Sequence, residues 1–226
     1  MNFIRSLKVI TPDKPNGKTI VYMMGYGGYL WQSKRQIELF KKSGYKIIAM
    51  DFVDVLKRKN PDDLLSLMDN VTKVLAKQKV VSSGTIIFGV SLGGLVGYNM
   101  MKRYNELNKL IVITGGDMTH IPAKVPVKRS LVKHWGLTRE QLSERWKDVN
   151  IYSEVGTIRG KHIIMVLPNR DKVINPKEVS DELARHTQYN KINLIRSSGG
   201  HFRTIITETI LKPKNGLALV KQIANY

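Results

Sequence analysis

The chain has 226 residues, a mass of 25.7 kDa and 42% hydrophobic residues, which suits one α/β domain and is neither disordered nor collagen-like in composition. It has no Cys, which excludes disulfides, a thiol nucleophile and zinc–thiolate sites; no apolar run of 18 or more residues and no secretory leader are evident, so a cytoplasmic location is expected. The 37 basic and 18 acidic residues leave a net charge of +19, but the lysines are scattered and not interleaved with aromatics, so no dedicated nucleic-acid site is expected and transient contact with anionic membranes stays open.

Along the chain, Phe3 to Ile10 reads as an edge strand. Short apolar runs then recur at Thr19 to Met24, Lys46 to Met50, Thr85 to Phe88, Leu110 to Thr114, His162 to Leu167 and Ile192 to Ile195. Most are continuous rather than alternating, as in strands buried on both faces of a parallel sheet. Helical segments lie between them. Asn60-Pro61-Asp62-Asp63 offers an N-cap and a first-turn proline, with Leu64, Leu67, Met68, Val71 and Leu75 following at helical spacing. A helix should follow Ser91 and end near Asn108. Thr138 to Gln141 is a capping box with Leu137 and Leu142 as its staple, predicting a helix through Trp146, and Asn175-Pro176 opens another. Only Gly115 to Gly160 breaks the alternation, and this stretch reads as a lid inserted in a single domain, with Ile121, Val125, Leu131, Trp135 and Leu142 as lining and Lys124, Lys128, Arg129 and Lys133 facing solvent.

Gly89-Val90-Ser91-Leu92-Gly93 matches G-x-S-x-G, a pattern that roughly one random chain in a dozen of this length would carry by chance. Its setting decides the matter: a strand precedes it and a helix follows, so the serine would sit on a sharp turn at a strand tip. A serine hydroxyl needs a base to take its proton and a carboxylate to orient that base. Asp171 follows the strand HIIMVL, and His201 follows the last strand with Gly199 and Gly200 as a hinge. Asp117 is the second choice of acid; Asp51 reads as a strand-end turn residue, and His120, His134, His162 and His186 as surface or strand-edge residues. No Cys or His pair has metal-ligand spacing, so no metal is expected.

GVSLGG, PNRDKV and GGHF, in that order, resemble the nucleophile, acid and histidine signatures of the α/β-hydrolase superfamily, from Thr19 to the C-terminus. The resemblance implies an α/β fold with a mostly parallel central sheet of eight strands, trimmed at the N-terminal edge, flanked by helices and carrying a short helical lid. It implies a cofactor-free serine hydrolase with Ser91, Asp171 and His201 as catalytic residues and the backbone amides of Tyr26 and Leu92 as oxyanion hole. Met24 stands where many members have histidine, and Gly25, Tyr29, Trp31 and Trp135 are candidate pocket residues. The expected substrate is a small carboxylic ester of short or medium acyl chain, or a lysolipid. A scaffold that has lost turnover, or a basic protein binding anionic lipid or nucleic acid, is the alternative.

Overall fold

The computed structural model describes residues 2–58, 60–115, 135–149 and 158–225. Seven strands form one sheet in the order β1-β3-β2-β4-β5-β6-β7. They are β1 (Ile4–Ile10), β2 (Thr19–Met23), β3 (Lys46–Phe52), β4 (Thr85–Val90), β5 (Lys109–Ile113), β6 (His162–Pro168) and β7 (Lys191–Ser197). Only β1 is antiparallel, against β3; every other pair is parallel. Among the described residues this matches the expected mostly parallel architecture, with seven strands where the resemblance implies eight trimmed at the N-terminal edge.

The continuous apolar runs form strands because helices cover both faces of the sheet. Val21 and Met23 point into one layer and Ile20 and Tyr22 into the other. The first layer holds α2 (Asp63–Lys77), α3 (Leu92–Arg103) and α5 (Pro176–His186); the second holds α1 (Lys34–Lys42) and α7 (Pro213–Ala224). In the second layer Tyr22 stacks on Phe88 at 5.2 Å and Phe40 leans against Phe88 at 5.7 Å, spacings that favour aromatic pairs beyond simple burial. Two short helices complete the described set: α4 (Arg139–Arg145) and α6 (His201–Ile206), the latter running into a π turn at Thr207–Leu211.

Helix ends follow local chemistry. The Thr138 and Gln141 capping box forms reciprocally, and the Asn175 side chain accepts from the Lys177 amide. At α2 the start is later than expected: Asn60 caps the Asp62 amide and Pro61 occupies the preceding turn. Helix α3 stops at Arg103, short of Asn108: Tyr104 leaves helical geometry, the Leu107 amide closes a turn on its carbonyl, and Lys161 Nζ donates to the carbonyls of Asn105 and Leu107.

Of the expected lid, residues 116–134 and 150–157 lie outside the described residues, and with them Asp117, His120, Ile121, Val125, Leu131, His134 and the basic residues Lys124, Lys128, Arg129 and Lys133. The described part, 135–149, is fastened to the body of the protein. Leu142, Trp146 and Val149 are buried in the first layer, Asn99 Nδ2 donates to the Val149 carbonyl at 2.8 Å, and the Trp146 indole donates to the Pro61 carbonyl at 3.1 Å.

Two histidines read as surface or strand-edge residues are buried: His162, at the head of β6, and His186, at the end of α5. Their burial depends on sheet register and helix docking, which no local pattern reveals. Loss of solvent pushes His186 below the usual histidine range, with smaller opposing influences from Glu182 upward and Arg185 downward; burial lowers His162 likewise. The unfolded chain therefore takes up these protons first as pH falls, so their contribution to stability is intact above the ordinary histidine pKa of about 6.5 and is lost below it. The melting temperature should drop between about pH 7.5 and pH 5, and drop less in His186→Met. Parallel curves for the two proteins would rule His186 out as a source of that slope.

Candidate active site

The sharpest feature of the backbone is Ser91, which sits between β4 and α3 with φ 49° and ψ −113°. A non-glycine residue held there costs on the order of 1–3 kcal/mol and persists only where its surroundings enforce it. They do so by close packing. A Cβ on Gly89 would lie 2.4 Å from the Gly93 carbonyl oxygen, and one on Gly93 would lie 2.2 Å from the Met23 carbonyl oxygen. Both contacts are to backbone, so neither position accepts a side chain without moving a strand or helix. The Ser91 amide donates to the Ile113 carbonyl at 2.8 Å, continuing the β4–β5 ladder up to the turn itself.

The loops after β6 and β7 carry the other two groups, and the backbone zips them together beyond the sheet edge. The Asn169 amide donates to Ser197 at 2.8 Å and the Arg170 amide to Gly199 at 3.2 Å. Asp171 then folds into a turn in which its Oδ1 accepts from the amides of Val173 at 2.8 Å and Ile174 at 3.0 Å. Its Oδ2 lies 2.8 Å from His201 Nδ1, and His201 Nε2 lies 3.1 Å from Ser91 Oγ. The Asp171 side chain is wholly buried and that of His201 is 5% exposed. A carboxylate accepting from Nδ1–H leaves Nε2 as the lone-pair nitrogen facing the serine, the tautomer that proton abstraction requires.

A cavity of about 260 Å³ opens over Ser91 between the loops that follow β2 and β4, strands from which the chain departs in opposite directions across the sheet. Such a crevice beyond the carboxyl ends of strands is where open α/β sheets bind ligands. Gly25, Tyr26 and Leu92 line it, so the two residues nominated for the oxyanion hole face the same space as the serine. Gly25 passes so near the elbow that a Cβ there would meet Ser91 Cβ and the Val90 carbonyl oxygen, each at 3.0 Å. Leu92 is the first residue of α3, where backbone amides have no acceptor within the helix.

The loop after β2 is held from below. Ser33 Oγ donates to Met24 Sδ at 3.4 Å and accepts from the buried Tyr22 hydroxyl at 2.8 Å, which is how methionine is accommodated in place of histidine. Asp51 corrects the sequence reading: it is within β3, 2% exposed, and its Oδ2 accepts from the Leu30 amide at 2.9 Å, pinning the far end of this loop.

Of the pocket candidates, Gly25 lines the cavity, whereas Tyr29, Trp31 and Trp135 are not among its described lining residues. Tyr29 is under the Arg5 guanidinium, 4.1 Å from ring centre to carbon; Trp31 is 72% exposed; Trp135 donates its indole N–H to the Arg58 carbonyl at 2.6 Å and meets Trp146 edge-on. Leu142, also expected to line the pocket, is in the core. The apolar wall comes instead from Val173 and Ile174 beside the acid and from Phe202, Ile205, Ile206 and Ile210 beyond the histidine. Its signal in the sequence was the i, i+4 spacing of Phe202 with Ile206, and of Ile206 with Ile210, just after His201. No group of three or more His, Asp or Glu among the described residues is arranged to hold a metal ion.

The fold has counterparts in solved structures. Esterase PF2001 of Pyrococcus furiosus aligns with a TM-score of 0.67 over 97% of this chain and 92% of that one, at 20% identity. The fold is that of the α/β-hydrolases. Thermogutta terrifontis esterase 2, in a structure phosphonylated by sarin, aligns with a TM-score of 0.67 over 94% of this chain and 87% of that one, at 16% identity. DcsB, in complex with its substrate analogue, aligns at 0.64 over 97% and 99%, at 12% identity. The sequence itself matches no family model and no curated protein. No helix among the described residues is long and apolar enough to cross a membrane.

Proposed function

We propose that the protein is a serine hydrolase that cleaves carboxylic esters of short or medium acyl chain, with Ser91 as nucleophile, His201 as general base and then acid, and Asp171 as the group that orients it. The observation that carries this reading is the continuous relay from Asp171 Oδ2 through the His201 ring to Ser91 Oγ, with steps of 2.8 and 3.1 Å, ending inside an apolar cavity. His201 Nε2 takes the serine proton as Oγ attacks the carbonyl carbon. The amides of Leu92 and Tyr26 receive the oxyanion, a service worth about 10² to 10³ in rate for one such donor. The imidazolium then passes its proton to the departing alcohol, and water, activated by the same nitrogen, releases the acyl group. No cofactor enters.

The cavity supports this substrate class. Its wall is aliphatic and aromatic, and its volume of about 260 Å³ lies just below the ~300–1,000 Å³ usual for ligand sites, which favours a small acyl group over a long one. The likeness in fold to the Thermogutta and Pyrococcus esterases supports ester hydrolysis as the general chemistry.

The deciding experiment is reaction with a fluorophosphonate, a reagent of the kind that phosphonylates the Thermogutta esterase, followed by peptide mass spectrometry. One adduct per chain on Ser91, with loss of p-nitrophenyl butyrate hydrolysis in step, is the expected result. Absence of both labelling and ester turnover would overturn the assignment in favour of a scaffold without catalysis.

A further inference from the structure

The surface around the cavity mouth is unusual for a water-facing one. Among the described residues, the three most exposed large apolar side chains are Trp31 at 72%, Leu211 at 69% and Phe202 at 66%. The elements that carry them meet: the turn Leu30–Ser33 packs against the π turn Thr207–Leu211, which continues α6, the helix of Phe202. Phe202 and Ile206 line the cavity itself, Trp31 precedes the cavity residue Gln32, and Leu211 follows the cavity residue Ile210. The Gln36 amide ties this face together by donating to the Glu208 carbonyl at 3.2 Å, joining α1 to the π turn.

Leu211 also lines, with Leu39 and Pro213, a second, open groove between α1 and the start of α7. Lys34, Arg35 and Lys42 line one side of it and Lys212 and Lys214 the other, all exposed. Glu38 is the one acid among its described lining residues. A greasy rim thus adjoins a basic groove on a single face. Either feature alone has ordinary explanations; scattered exposed apolar residues are normal, and so are lysines on a chain of this net charge. Their adjacency calls for a partner with both chemistries.

We propose that this face docks on an anionic phospholipid surface, with Trp31, Phe202, Ile206 and Leu211 entering the headgroup layer and the lysines and arginine of the groove pairing with lipid phosphates. Tryptophan and bulky aliphatic side chains partition to that interfacial depth, and each nearby Lys or Arg adds attraction to an anionic leaflet. A second copy of the chain fits poorly, because two surfaces of a +19 protein would oppose each other's charge. Nucleic acid would satisfy the cations, but it gives the aliphatic Ile206 and Leu211 nothing to bury against. The contact is peripheral and places the cavity mouth at the lipid boundary. It extends the proposed hydrolase reading without depending on it, since docking is read by binding alone.

The test uses the full chain with vesicles of phosphatidylglycerol or of phosphatidylcholine, read by co-sedimentation and tryptophan emission. Trp146 is buried and Trp135 half-buried, so a change in emission on docking reports Trp31. Binding to phosphatidylglycerol but not phosphatidylcholine, weakening with salt, with a blue shift that disappears in Trp31→Phe, is the expected result. The triple variant Lys34→Glu, Arg35→Glu, Lys212→Glu should weaken partitioning by about tenfold or more. A control with the same charge change on the opposite layer, Lys73→Glu, Lys77→Glu, Lys177→Glu, should weaken it far less. Equal loss in the two triple variants would reduce the effect to net charge and overturn the proposal. So would binding to both vesicle types alike, binding to neither, or displacement by RNA with no shift in Trp31 emission.

Discussion

Ser91→Ala should abolish ester hydrolysis, by at least ~10⁴-fold in kcat, while leaving the circular dichroism spectrum and the melting temperature within experimental error. The loss is large because the nucleophile has no substitute at that tip; what remains comes from binding and oxyanion donors alone. The fold is spared because alanine keeps the Cβ that the elbow already tolerates and removes only the hydroxyl that meets His201. Ser91→Gly sharpens the point. At φ 49° a side chain is strained and glycine is not, so this variant should be equally inactive yet more stable by about 1 kcal/mol, or roughly 2–4 °C for a chain of this size. An active Ser91→Ala protein would remove the nucleophile from the proposed mechanism, and a destabilised Ser91→Gly protein would show that the elbow is not strained.

Asp171→Asn should lower kcat by up to ~10⁴-fold with little change in KM. The side chain has two jobs in the structure: Oδ1 accepts from Val173 and Ile174, and Oδ2 faces His201 Nδ1. An amide can keep the first by leaving its oxygen under those two backbone donors. Its NH₂ then points at Nδ1, which must become the acceptor, and the ring proton moves to Nε2. That nitrogen can no longer take a proton from Ser91. The variant should therefore fold, react slowly with the fluorophosphonate, and recover part of its rate at high pH, where hydroxide can substitute for the missing base. A rate close to that of the unmodified protein would move the orienting role elsewhere, and Asp117 would be the next residue to replace.

The three proposed catalytic residues were legible because each follows a strand, and strands buried on both faces announce themselves as apolar runs. The same logic gave the sheet its membership, from Thr19 through Ile195, though not its register. Pocket lining was not legible in this way. Tyr29 and Trp31 follow β2 as aromatic residues near a site often do, but the 3-10 turn at Leu30–Ser33 rotates them outward to Arg5 and to solvent. Trp135, expected to line the pocket, donates instead to the Arg58 carbonyl. Conversely Ile205, Ile206 and Ile210 look like any helix face turned to a core, and only the position of His201 at the head of that helix makes them a cavity wall. Asp51 was underestimated for a related reason: its partner, the Leu30 amide, is 21 residues away in the chain and adjacent only once β2 and β3 pair.

Helix α6 and its π turn carry the imidazole at one end and the aliphatic wall along their length, in a single uninterrupted piece of backbone. In the proposed hydrolase, alignment of the base and preference for acyl length are thereby mechanically linked. A substitution at Ile205 or Ile206 that enlarges the chamber also loosens the seat of the ring, so variants selected for bulkier acyl groups should lose turnover before they lose affinity, and recovering both calls for a compensating change where the π turn meets α1.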